Sequence, residues 1–306
     1  MQALSIILEK ALPVFVMLAL GVLCRKKSLI SEEGIGAMKN FVVNITLPAV
    51  MFSAFATAQY TPKSLITPVI IFAACILMLV LGFAACRIFR IPGKLSAYLS
   101  SGFEAGMLGY ALFALLFPGE SASHFAIIDL GQVLFVFTIY KALLAGRGGL
   151  SGVLREALHA PTVWAIVIGI LFGATGLYER LTPSGISGIL DSVATFVAAP
   201  TSAVILLTIG CDLASGQIRW RITAKLAALR LIIAGIMLGI LLIANKFIFS
   251  AIMHTGALIL MFILPPPYVL PVFADAGDER ADISSALSFL TAVSLVLFML
   301  LTIVFR

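Results

Sequence analysis

Charge is what this chain has least of: 11% of its 306 residues are charged, against 61% that are hydrophobic. That balance excludes an ordinary soluble domain, in which about a quarter of residues are charged, and points to a polytopic helical membrane protein. Cysteine is sparse, and Cys24, Cys75, Cys86 and Cys211 stand apart with no CxxC or His/Cys ligand spacing. A disulfide framework and a zinc site are therefore excluded. Long polar stretches are missing too, so residues 1–306 read as a single membrane domain. No P-loop, HExxH or DxxxD motif occurs, and the first apolar run, Ala11 to Leu23, lacks the flanks of a cleavable signal. One enzyme motif is present: Gly185-Ile186-Ser187-Gly188 matches the GxSG of intramembrane serine proteases, with His254 in a later segment. A protease needs that His within hydrogen-bond reach of Ser187. The motif instead opens a predicted span, and we read the chain as a non-enzyme.

Apolar runs near the ~20 residues that cross a hydrocarbon core recur at about 4–24, 35–57, 64–86, 95–117, 124–145, 160–178, 185–210, 223–246, 249–274 and 281–304. The sequence thus predicts ten transmembrane helices. Connections after the odd-numbered spans hold twelve Lys and Arg residues, from Arg25 to Arg280, and those on the opposite face hold five. The positive-inside rule then puts both termini on the non-cytoplasmic side of a plasma or inner membrane. Because the basic residues are dispersed over short loops, a nucleic-acid partner is not expected. Lys39, Lys141 and Arg230 fall within spans near their predicted cytoplasmic ends, where snorkelling is the expectation and substrate binding the alternative.

The chain also repeats itself. Leu29, Gly36 and Pro48 recur as Leu181, Gly188 and Pro200 at an offset of 152, and Pro13 and Gly21 recur as Pro161 and Gly169 at 148. Gly119-Glu120 and Gly277-Asp278 align at 158, which also lays Gly109-Tyr110 on Pro267-Tyr268. Five spans per half is an odd number, so the repeats, about 1–150 and 151–306, are expected to insert with opposite orientation. Inverted repeats are an architecture of secondary transporters.

The ninth span carries Pro265-Pro266-Pro267 and Pro271, and the corresponding fourth span carries Gly102, Gly106 and Gly109 around Glu104. Proline removes a backbone donor and clashes with the preceding turn, in a solvent that offers no replacement partner. Such breaks persist where they line a cavity, and a matched pair of them is a pointer to a binding site. The fold expected is therefore all-α, two inverted five-helix repeats with broken helices 4 and 9 crossing near the midplane. Half-helix ends there would present N–H groups and carbonyls to ions of either sign.

Glu104, deep in span 4, is the leading titratable candidate, because burial favours its neutral form and lets it carry a proton or pair with a bound cation. The competing role is structural, a carboxylate accepting loose N–H groups at the break. Asp129 and Gln132 in span 5 could face the same cavity. Asn40 and Asn44, at i and i+4, are expected to point together into a polar interior. Asp191, Ser192 and Thr195 cluster in span 7, and Ser284, Ser285, Ser288 and Thr291 stripe span 10. Both groups fit helix packing as well as ligand contact.

With these motifs in place, the chain resembles the auxin efflux carrier family of permeases, which is related in fold to bile acid/sodium symporters. The resemblance covers essentially the whole chain. It is carried by Leu12-Pro13 through Gly21 followed by a basic turn, Asn44-Ile45-Thr46-Leu47-Pro48, Gly106-Met107-Leu108-Gly109, and Gly277-Asp278 before the Ser/Thr-bearing last span. Where the family's fourth-span pattern has Asn and Pro, this chain has Glu104 and Ala111. The resemblance implies a scaffold plus transport core, often a homodimer, moving small carboxylates or other organic anions by alternating access. On that basis the expected substrate contacts are Asn44, Gly106, Gly109, Pro266, Pro267 and Tyr268, with Glu104 and Asp129 serving a coupling proton or ion. No cofactor or metal is expected beyond a coupling H⁺ or Na⁺. A sodium-coupled symporter of the bile acid type, and a non-transporting sensor, are the alternatives.

Overall fold

In the computed structural model, residues 2–58, 60–61, 64–144, 160–214, 220–268, 270 and 279–305 are described. Pro271, Gly277 and Asp278, named above, lie outside them, as do Lys63, Arg147, Arg155, Arg219 and Arg306 of the basic connections, His159 and Asp275. Every regular element among the described residues is helical. The first half holds α1 (Gln2–Lys26), α2 (Glu32–Phe41), α3 (Leu47–Ala56), α4 (Ile66–Ile88), α5 (Tyr110–Leu116), α6 (Ser123–Phe135) and α7 (Lys141–Leu144). The second half holds α8 (Pro161–Ala174), α9 (Leu177–Arg180), α10 (Ile186–Ala198), α11 (Thr201–Leu213), α12 (Trp220–Phe247), α13 (Thr255–Ile263) and α14 (Arg280–Val304).

Six helical segments among the described residues are long and apolar enough to cross a membrane: Glu32–Ala56, Ile66–Ile88, Ser123–Leu144, Ile186–Cys211, Trp220–Phe247 and Ser285–Val304. Large apolar side chains point outward from them, Phe196 being 83% exposed and Ile232 60%, as a lipid-facing surface requires. The fourth and ninth predicted spans are each interrupted by unwound backbone. A 3₁₀ turn at Ser96–Ser100 is followed by non-helical residues and a π-helical turn at Ala105–Gly109 before α5 begins. In the ninth, α13 ends at Ile263 and Leu264 turns extended, φ −65° and ψ 150°, because a residue preceding proline is driven out of the helical region.

Pro48 has a similar local effect. Its ring cannot tolerate, nor its nitrogen bond, the Asn44 carbonyl one turn back, and the chain there widens into a π turn, Val42–Thr46, a common way of absorbing such a residue. Pro200, aligned with Pro48 in the sequence at an offset of 152, likewise stands at a helix interruption, between α10 and α11.

Glycine sets which helices touch. A Cβ on Gly21 of α1 would lie 2.1 Å from the Leu207 carbonyl oxygen of α11, and one on Gly210 would lie 2.3 Å from that of Leu18. A Cβ on Gly169 of α8 would lie 2.9 Å from the Phe52 carbonyl oxygen of α3, and one on Gly173 would lie 2.7 Å from that of Phe55. Small residues let backbones approach closely where lipid supplies no hydrophobic drive. Gly21 and Gly169, aligned in the sequence at an offset of 148, thus occupy similar places, one packing α1 on α11 and the other α8 on α3. Around α4, α6, α12 and α13 the interior is closed by Phe125, Phe135, Tyr140, Met261 and Phe298, none of them measurably exposed.

A candidate binding site where two broken segments meet

The unwound stretch at Gly102–Glu104 lies against the one at Leu264–Tyr268. The Glu104 N–H donates to the Pro265 carbonyl at 2.8 Å, and the Tyr268 N–H donates to Glu104 Oε2 at 2.6 Å. Gly102 has φ +71°, a left-handed conformation that side chains disfavour, and a Cβ there would lie 2.7 Å from Pro267 Cγ. The sequence-level pairing of a glycine-built break with a proline-built break thus corresponds to physical contact. Glu104 is 7% exposed, and its carboxylate accepts a backbone N–H freed by the opposite break.

Other expected residues gather here. Pro266 and Pro267 are buried. Gly109 leaves room for Phe125 and the Leu264 side chain, which a Cβ would meet at 2.6 and 2.8 Å. Gly106 is half-buried and faces Leu47 and Met51 at ordinary contact distances. The Tyr268 hydroxyl shares a 2.8 Å hydrogen bond with Thr291 of α14, which joins the hydroxyl stripe of the last helix to the site. Asp129, fully buried, accepts from the Tyr110 hydroxyl at 3.1 Å and from Gln132 Nε2 at 3.2 Å. The same Gln132 nitrogen donates to the Phe103 carbonyl at 3.0 Å, bridging Asp129 to the unwound segment. Among the described residues Gln132 Oε1 is buried without a hydrogen-bond partner, and a buried amide acceptor left so is costly.

Arg230 corrects the sequence reading most. Expected to snorkel, it is 2% exposed. Its guanidinium donates to the Ser100, Gly102 and Leu264 carbonyls at 2.9, 2.8 and 3.2 Å, and its central carbon lies 4.7 Å from the Phe103 ring centroid. These carbonyls come from both breaks. The available signal was depth: α12 begins at Trp220, so at 1.5 Å per residue Arg230 sits about 15 Å along it, roughly half a hydrocarbon thickness. Lys141, also expected to snorkel, is buried at 6% exposure.

Asn44 is placed differently from the expectation. It and Asn40 are exposed, and its amide folds back to donate to the Asn40 carbonyl at 3.0 Å. Asp191 and Ser192 are exposed as well, Asp191 accepting from Tyr178 and Ser192 donating to its own helix at Gly188. The GxSG motif makes no catalytic pair: Ser187 Oγ donates to Thr182 Oγ1, whereas His254 meets Glu120 and the Ala257 N–H.

Both ends of the broken pair are tied by contacts that sequence reasoning missed. Glu120, just beyond α5, lies 3.1 Å from His254 Nε2, and His254 caps α13 through Nδ1. At the other end, Glu279 accepts from the Lys94 and Leu95 N–H groups at 2.8 and 2.9 Å, just before the Ser96–Ser100 turn. An acidic residue following each broken segment therefore holds the start of the other. Near the His254 end a cavity of about 450 Å³ is lined by Thr57, Thr67, Ser121, Ser123 and His124 among others.

Residues 6–150 match the family described as membrane transport protein. A protein of Methanothermobacter thermautotrophicus described as an uncharacterized transporter is 25% identical over 298 residues, covering 93% of each chain. The chain is a multi-pass membrane protein by its apolar helices, and it is similar to membrane transport proteins over residues 6–150 and to an uncharacterized transporter over most of its length.

Proposed function

We propose that this protein is a secondary active transporter that moves a small organic anion such as a carboxylate by alternating access, with its binding site at the crossing of the two broken segments. The observation that carries the reading is the reciprocal Glu104–Pro265 and Tyr268–Glu104 backbone contact. Unwound backbone of two membrane helices meeting beside a deep carboxylate is the arrangement in which transporter sites are built. Ten helices in two inverted five-helix repeats underlie the site in this reading. Support comes from the matched glycine contacts of Gly21 and Gly169 and from the matched end ties. One set of helices, α1, α3, α8, α10 and α11, acts as scaffold, and the pieces around α4–α6 and α12–α14 move as the core.

Chemically, the half-helix starting at Ala105 turns its positive end toward the crossing, and Arg230 adds a fixed positive charge, so an anion is favoured once Glu104 is neutral. Protonating Glu104 also weakens its hold on the Tyr268 N–H, because a carboxylate accepts more strongly than a carboxylic acid. Proton uptake, loosening of the break and anion binding are thereby coupled. Asp129, joined to the break through Gln132, is a second proton carrier. The hydroxyl-lined cavity near His254 is the vestibule on the non-cytoplasmic side. The carrier sits in the plasma or inner membrane with both termini on that side, and works without a cofactor as a homodimer.

Glu104→Gln tests the coupling. Purified protein in proteoliposomes with an imposed pH gradient should lose gradient-driven accumulation by at least about tenfold, since an interaction of about 1.4 kcal/mol corresponds to that factor, while equilibrium exchange persists. Unchanged accumulation in the variant would remove Glu104 from the coupling step.

A further inference from the structure

Arg230 poses a problem that the anion site alone does not solve. A buried guanidinium is costly unless its charge is compensated, yet its hydrogen-bond partners here are backbone carbonyls of Ser100, Gly102 and Leu264. These oxygens belong to the two unwound segments, where carbonyls have lost helical N–H partners. Convergent carbonyls of unwound membrane helices are the ordinary coordination for a coupling cation. A guanidinium that is 2% exposed, with an aromatic face against it, is not open to a passing substrate. We propose that Arg230 is a tethered cation occupying the carbonyl site that a free coupling ion would otherwise fill, which makes it a positioning residue that holds the two breaks together and leaves the carrier independent of sodium.

The inference rests on reading the crossing as the carrier's site, and it deepens that reading by excluding Na⁺ from it. The geometry favours a built-in charge over a mobile one. Three acceptors from two chain segments are drawn to one planar fork, whose donors stay correctly spaced whichever way the core tilts. A free ion would have to bind and leave in every cycle, whereas a side chain on α12 does neither.

Thermal unfolding of the purified full-length protein tests this without substrate. Wild type should have the same midpoint in NaCl and in choline chloride at equal ionic strength, and a midpoint raised specifically by Na⁺ would overturn the proposal. Arg230→Ala should unfold at lower temperature and be rescued by millimolar guanidinium, by about 3 °C or more once the ion exceeds its dissociation constant about tenfold. A variant as stable as wild type, or one that guanidinium leaves unmoved, would refute the idea. Arg230→Lys, which keeps a tethered charge, should fold and stay blind to sodium, so a sodium-dependent midpoint there also contradicts it. These midpoints involve no flux. A failed rescue therefore removes the cation assignment and leaves the carrier reading intact, and absent transport with intact rescue does the reverse.

Discussion

Gly102→Ala is expected to abolish transport and to lower the unfolding midpoint. Two effects add. Gly102 holds φ +71°, a conformation that costs an L-residue about 1–2 kcal/mol. The new methyl would also lie 2.7 Å from Pro267 Cγ and 3.1 Å from Cδ, and a rigid ring buried on the facing break has little freedom to yield, so overpacking costs about 1–3 kcal/mol more. The Gly102 carbonyl that anchors Arg230 would move with the backbone. Gly119→Ala is the control, because its φ of +88° is as unfavourable but no atom lies within 4 Å of the added Cβ. Unfolding midpoints and uptake of the two variants should differ clearly. Equal, mild effects would show that the breaks do not touch as described.

Asp129→Leu should be nearly as damaging, by a different route. The substitution leaves the Tyr110 hydroxyl and one Gln132 N–H without their acceptor, at about 1–3 kcal/mol for each buried group. Asp129→Asn keeps one oxygen in place and should fold, losing roughly 1 kcal/mol. That pair of variants separates structure from coupling. If Asp129 carries a proton in the cycle, the Asn variant will retain wild-type expression yet fail to accumulate substrate against a gradient. If its role is only to hold Tyr110 and Gln132, the Asn variant will transport like wild type.

What the sequence could reveal follows from how locally each feature is determined. Pro265 to Pro267 must interrupt any helix they enter, and glycines around a deep carboxylate mark a second weak point, so both breaks and their register were readable. Helix content and the membrane setting follow from composition. Arg230 reads in the sequence as a snorkelling residue because its role depends on how far α12 extends before it, and the helix begins at Trp220 instead of near residue 223. The orientation of Asn44 escaped because Pro48 forces a π turn at Val42–Thr46, which a simple i, i+4 count does not anticipate. The Glu120–His254 and Glu279–Lys94 ties join residues 134 and 185 positions apart, and no local pattern encodes such approaches. Gln132 was in view as a cavity-facing residue, but its role as the bridge between Asp129 and the Phe103 carbonyl needs coordinates.

The central claim, that the crossing serves proton-coupled movement of an organic anion, is tested most directly by accumulation in proteoliposomes of the wild-type protein. A panel of radiolabelled small carboxylates would be presented with an inward proton gradient and then with a protonophore. Accumulation above equilibrium of at least one carboxylate, collapsed by the protonophore and unaffected by replacing Na⁺ with choline, is the predicted result. Equilibration without accumulation, or accumulation that requires Na⁺, would contradict it.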